Sequence, residues 1–214
     1  MTPRILPHGD AAFMLAVREA PGPALSARLH AVGQRMLDRA GVWDTVQSFQ
    51  SLTVFHDPAA DRDALQAALV AVWDDTATTR PAAGRVWEIA GRFDADSGPD
   101  LTEAAEALDL SPKALVAALC AQAWPVLAVG FVAGLPFLGP LPDALKLPRR
   151  GTPRTRVPAG SIAIANGFCG LYPCESPGGW HLLGRSDFQL FDATAEPAAR
   201  LAPGDAVQFV PVDN

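Results

Sequence analysis

After residue 132 this chain never returns to the three-to-four-residue apolar spacing of a helix. Short apolar runs such as 160–165 and 207–210 follow one another instead, each cut off by Gly or Pro. Residues 125–132 form a nearly continuous apolar run, the pattern of a strand buried on both faces. Pro203-Gly204-Asp205 turns the chain into its closing strand at 207–210. Many short strands separated by frequent turn signals suggest a barrel or a sandwich.

Within this region residues 148–185 concentrate chemistry. Four arginines fall within eight positions, Arg149, Arg150, Arg154 and Arg156. The strand at 160–165 comes next, and a Gly/Pro turn follows at Pro177-Gly178-Gly179. Rigid turns flanking short strands hold polar groups over a pocket. Arginine offers planar, bidentate donors to carboxylate and phosphate. Arg149 and Arg154 each follow a proline that fixes their approach, and are the first candidates for an anion ligand. A subunit interface also selects arginine, so that alternative stays open for both. Arg150 and Arg156 read as solvated or paired surface charges. The backbone N–H groups of Gly178 and Gly179 are candidates for an anion-binding nest, with a plain tight turn as the alternative. Trp180 is either a substrate platform or a core or interface residue, and Glu175 and His181 flank the same turn as candidate acid or base.

The first half reads differently. Residues 4–6 and 11–17 are short strands around a His8-Gly9-Asp10 turn. In 23–39, Leu25, Leu29, Val32 and Met36 make one helical stripe, with Gly41 as the left-handed stop. Residues 46–55 are rich in β-branched and aromatic residues and read as one or two strands. A second amphipathic helix spans 62–75, with Leu65, Leu69, Val72 and Trp73 on one side. Strand, helix, strand, helix predicts a small α+β unit with its helices on one sheet face. The small, polar segment 76–84 is the expected linker. A strand at 86–89 opens the next unit. Asp100 with Glu103 predicts a capping box, and Ser111-Pro112 a cap followed by proline at the first helical position.

A formal net charge of −6 argues against nucleic-acid binding, which needs a basic face. No run approaches the roughly 18 apolar residues of a membrane span, since Pro125, Pro136 and Lys146 interrupt the best candidate. Residues 1–13 lack the apolar centre and cleavage site of a signal peptide, so a cytoplasmic protein is expected. Cys120, Cys169 and Cys174 form no CxxC and have no neighbouring His; they read as small, semi-buried hydrophobes. The four histidines lie too far apart in sequence to suggest a zinc site.

The residues also carry a family pattern. Arg4-Ile5-Leu6-Pro7 with Gly9-Asp10, Ser51-Leu52 with Asp57-Pro58, and Gly98-Pro99-Asp100-Leu101 belong to it. Its longest part is Thr152-Pro153-Arg154-Thr155-Arg156-Val157-Pro158-Ala159-Gly160-Ser161, followed by Tyr172-Pro173, Ser176-Pro177-Gly178-Gly179-Trp180 and Gly184-Arg185. The chain therefore resembles the 5-oxoprolinase B-subunit family, also named KipI or allophanate hydrolase subunit 1, over nearly its whole length.

The resemblance implies an α+β protein in two domains. Residues 1–82 would be a small N-terminal α/β domain and 83–214 a cyclophilin-like β-barrel of carboxyltransferase type. It further implies one member of an ATP-dependent complex that opens 5-oxoproline to glutamate. The partners would be the barrel-fold C-type component of 5-oxoprolinase (allophanate hydrolase subunit 2 type) and an A-type component. Fold alone does not fix function, and two other implied roles stand beside the first: a regulator that inhibits a sensor histidine kinase, and a non-catalytic companion subunit. No glycine-lysine phosphate loop is present, so ATP, with magnesium, is expected to be shared with the partner. The substrate or anion contacts expected here are Arg149, Arg154, Pro177, Gly178, Gly179, Trp180 and Arg185; the isolated chain is expected to be inactive. Departures from the family pattern cluster as well. Ala133 stands for a proline, Leu135 for a phenylalanine and Phe137 for a tyrosine; Leu119 stands for a histidine, Leu127 for a tyrosine and Phe168 for a glutamine.

Overall fold

The structure is a computed structural model that describes residues 3–76 and 84–212. The chain divides into two compact units, Met1–Ala83 and Gly84–Asn214. Of the expected linker, residues 77–83 lie outside the described residues.

The first unit runs β1 (Arg4–Pro7), β2 (Ala12–Ala16), α1 (Pro23–Leu37), β3 (Val42–Gln47), β4 (Ser51–His56) and α2 (Arg62–Asp75). Its strands form one antiparallel sheet in the order β1-β2-β4-β3. Residues two apart on a strand share a face. Phe13 and Leu15 of β2 and Leu52 and Val54 of β4 therefore point the same way, and both helix stripes pack on them. The apolar stretch expected at 46–55 is two strands, because the chain turns between Gln47 and Ser51. Helix α1 ends at Leu37, before Gly41, although Gly41 does have the positive φ expected of it. Asp61 caps α2 by accepting from the Ala64 N–H.

The second unit opens with β5 (Val86–Gly91), α3 (Leu101–Ala107) and α4 (Pro112–Cys120). After them come β6 (Trp124–Val129), β7 (Pro136–Leu138), a 3₁₀ turn (Asp143–Leu145), β8 (Arg154–Val157) and β9 (Ser161–Ala165). The chain finishes with β10 (Phe168–Leu171), β11 (Ser176–Gly178), β12 (His181–Arg185) and β13 (Ala206–Pro211). Seven strands order as β12-β9-β10-β7-β6-β13-β5, while β8 and β11 pair separately. The outer strands nearly meet, since Arg92 and Arg185 exchange backbone hydrogen bonds of 2.8 Å in both directions. The barrel anticipated from the turn-rich second half is thus nearly closed.

Strand β9 is apolar from Ile162 to Ala165 because both of its faces are buried. Ile162 and Ile164 point into the main core, with Ile89, Leu115, Trp124 and Phe209. Ala163 and Ala165 point the other way, into a smaller cluster with Leu135, Val157, Tyr172, Trp180 and Leu182. Two buried faces account for the apolar run 162–165, and the strand's one polar residue, Ser161, satisfies its hydroxyl by donating to the Pro158 carbonyl. The outer cluster is the floor on which the candidate site is built.

Two local expectations are resolved by the structure, one of them as a correction. Ser111 does cap α4, accepting from the Ala114 N–H at 3.2 Å. Asp100, in contrast, makes no side-chain cap to α3, because its carboxylate is taken by stronger donors described below. Of the cysteines, Cys169 is buried, Cys120 is partly so, and Cys174 is exposed. Burial pushes the Cys169 thiol well above its ordinary value and the Cys120 thiol to about 11.

Candidate functional site

A cavity of about 100 Å³ opens on the outer cluster of the second unit. The β6–β7 loop supplies Phe131 and Leu135, and β7 supplies Phe137. Gly170 of β10 and Tyr172 beyond it come from alternate positions on one strand face. Gly178 of β11 and the Gly179-Trp180 step complete the wall, and Arg149 enters from the connection that precedes β8. The Phe137 and Trp180 rings meet edge-on, with centroids 5.7 Å apart.

Arg149 is the cavity's charged group. It is exposed, and it makes no ion pair among the described residues. Its backbone, however, is fixed on both sides. His181 Nε2 lies 3.0 Å from the Pro148 carbonyl; a carbonyl only accepts, so this nitrogen carries the proton. The Arg150 N–H donates to the Gly179 carbonyl at 2.8 Å. A pinned backbone carrying an unpaired guanidinium at an aromatic cavity is a candidate anion-binding site. Tyr172 feels that charge. Burial raises its phenol above the ordinary value, and the Arg149 charge opposes the rise without cancelling it.

Arg154 has a different environment. Its Nη2 donates to Asp100 Oδ1 at 2.6 Å, and Arg150 Nη1 donates to the same oxygen at 2.8 Å and to Glu103 Oε2 at 3.2 Å. Asp100 Oδ2 accepts from the Leu182 N–H at 2.8 Å, and the Asp100 side chain is only 4% exposed. Burial by itself would raise this carboxyl's pKa. The Arg154 and Leu182 hydrogen bonds and the two arginine charges outweigh it and hold the group below the usual carboxylate range. This hub ties the start of α3 to β8 and β12. Asp100 therefore serves two cations in place of the helix N-terminus.

The remaining expected residues divide between these places. Gly178, Gly179 and Trp180 border the cavity with Arg149. Arg154, Pro177 and Arg185 are not among its lining residues: Pro177 is exposed in β11, and Arg185 ends β12 opposite Arg92. The Pro177-Gly178-Gly179 segment is not the tight turn expected, because Ser176–Gly178 pairs with β8. Neither glycine there has the positive φ that a nest uses. Gly178 lacks a side chain for a different reason, since a Cβ would lie 2.5 Å from the Tyr172 hydroxyl oxygen. Arg156 pairs with Glu175 through two contacts of 2.9 Å on an exposed surface.

Sequence reasoning does not single out Phe131, Gly170 and Tyr172 as site residues. The alternation of Gly170 and Tyr172 across a strand was the available signal; Phe131, in a loop, offered none. Of the departures from the family pattern, Leu135 and Phe137 line the cavity and Phe168 packs against its floor. Leu119 is main core, its carbonyl accepting from Trp124 Nε1 at 2.7 Å. Leu127 is buried and Ala133 is exposed in the β6–β7 loop.

Comparison with known proteins places this architecture. The carboxyltransferase domain, subdomain C and D, matches residues 3–201. The 5-oxoprolinase B-subunit of Escherichia coli O157:H7 is 34% identical over 205 residues, covering 95% of this chain and 93% of the relative. That of Bacillus subtilis is 31% identical over 224 residues, covering 96% and 91%. Among solved structures, TTHA0988 superposes with a TM-score of 0.82 at 35% identity over 95% of this chain; the chain spans only 40% of that longer protein. The Kluyveromyces lactis urea carboxylase has a TM-score of 0.76 at 18% identity, covering 99% of this chain and 22% of that one, which is a likeness of fold. The chain belongs to the 5-oxoprolinase B-subunit family, within the carboxyltransferase domain proteins.

Proposed function

We propose that this chain is one component of an ATP-dependent, 5-oxoprolinase-type amidohydrolase that opens 5-oxoproline to glutamate. The observation that carries the reading is Arg149, an unpaired cation with a pinned backbone at the mouth of an aromatic cavity. A cyclic amide acid needs that pair of features: a cation for its carboxylate and apolar walls for its ring. The relatives named as 5-oxoprolinase B-subunits, at 31–34% identity over nearly the full length, support the same reading.

The chemistry needs more than this cavity holds. An unstrained lactam resists hydrolysis, so phosphorylation of its carbonyl oxygen by ATP would create the leaving group. The cavity is well below the roughly 300–1,000 Å³ that encloses larger ligands, so a nucleotide would lie outside it, shared with a partner. Among the described residues no group of three or more His, Cys, Asp and Glu is arranged for a metal, and magnesium would arrive with the nucleotide. Nor does the lining include a carboxylate or an imidazole. Acid and base would come from a C-type barrel partner, with an A-type component completing the set in the cytoplasm. In this scheme the chain binds and orients the lactam, and it is inactive alone.

The test is glutamate release from 5-oxoproline with ATP by the assembled complex. Arg149→Met should cut turnover by about a hundredfold, as loss of one charge-assisted donor does, with the thermal midpoint of the chain unchanged. Full activity in that variant would remove Arg149 from the site; turnover by the isolated chain would refute the shared-site scheme.

A further inference from the structure

Phe131 combines features that usually exclude one another. Its φ is +70°, in the left-handed region where a bulky residue is a genuine outlier. The residue is 69% exposed, the most of any large hydrophobic residue among the described residues. It nonetheless lines the cavity, as Arg149 does. Packing does not hold it there, since most of the residue is in solvent. Loop closure does. The Gly130 N–H donates to the Leu135 carbonyl at 3.0 Å, and the Leu135 N–H donates to the Val132 carbonyl at 3.1 Å. Gly134 anchors the far end at positive φ, where a Cβ would collide with Phe191. Backbone strain of this kind persists only where the surroundings over-determine it, and it concentrates at ligand sites.

We propose that Phe131 is a specificity-determining residue of the cavity: its ring covers the apolar face of a small cyclic carboxylate whose charge Arg149 holds. The inference rests on the reading of the cavity given above. Phe137, Leu135 and Trp180 supply the other apolar walls, and the loop presents the last one already in place. Binding converts an exposed aromatic surface into a buried one, which the free protein leaves unused. Acyclic carboxylates of similar charge lack a flat face and gain little from that ring.

The experiment measures KM and kcat for 5-oxoproline in the assembled complex, and the thermal midpoint of the full chain, for wild type, Phe131→Gly, Phe131→Tyr and Arg149→Met. Phe131→Gly should raise KM by about two- to tenfold, the range of one aromatic contact, with kcat little changed. Glycine accepts the positive φ without strain, so the midpoint should stay level or rise. Phe131→Tyr should restore KM. An unchanged KM in Phe131→Gly, with Arg149→Met impaired, overturns this inference and leaves the cavity reading intact. A midpoint lowered by more than about 4 °C overturns it in favour of a structural ring. Loss of complex assembly with KM unchanged in what assembles assigns Phe131 to a protein contact and also overturns it. If the wild type does not turn over 5-oxoproline, or Arg149→Met matches it, the cavity reading fails and the inference fails with it.

Discussion

Arg149 and Arg154 lie five residues apart, each directly after a proline, and meet opposite fates. Arg154 joins Arg150 on one oxygen of Asp100, in a hub where the carboxylate is buried and each arginine side chain is about one-quarter exposed. Arg149 faces solvent and an aromatic cavity, and makes no ion pair among the described residues. One region matches its charges internally and spends them on holding strands and helix together. The other leaves a charge unmatched and fixes only the backbone beneath it. Identical side chains therefore do different work, and the difference is made by Asp100.

The comparison breaks most sharply at Asp100. Asp100→Ala would leave two arginines without their shared carboxylate and the Leu182 N–H without its acceptor. Removing one partner of a buried charge cluster costs about 3–5 kcal/mol, to be read as a lower urea midpoint at unchanged slope. A loss below about 1 kcal/mol would show that both arginines relax into water and that the hub holds little. Arg149→Met serves as the counterpart, costing activity and sparing stability.

A smaller effect is expected at the cavity wall. Gly178→Ala places a Cβ against the Tyr172 hydroxyl and close to Val157. Overpacking of this order costs about 1–3 kcal/mol, and the displaced tyrosine should weaken lactam binding as well. Wild-type stability and KM in that variant would mean that the β11 segment moves aside freely. The smallest effect belongs to Arg156, whose pair with Glu175 is exposed at both ends, 76% and 53%. Arg156→Ala should shift stability by less than about 1 kcal/mol, with turnover unchanged; a large loss of turnover would place Arg156 in a partner-completed site.

Much of the first unit could be read directly from the residues. Leu25, Leu29, Val32 and Met36, like Leu65, Leu69, Val72 and Trp73, recur at helical spacing, and all eight are buried. Periodicity works there because each helix has one wet face and one dry face. In β9 the reading stopped at an apolar run, since Ile162 and Ala163 serve different clusters and alternation carries no polar signal. The capping box at Asp100 failed for a related reason. Local geometry favoured a helix cap, while Arg150 and Arg154, some fifty residues on, offered stronger bonds.

By itself the sequence determined the stripes, the turn punctuation, the Ser111 cap and the motifs that place the chain in its family, because these are set by neighbours a few residues away. Tertiary structure alone decided which arginine is free, why Gly178 must lack a side chain, and that Phe131 stands at a cavity mouth. The first and last depend on a partner some fifty residues away, Asp100 or Trp180, and the second on how the chain folds back between Tyr172 and Gly178; no local pattern records where such a partner will arrive.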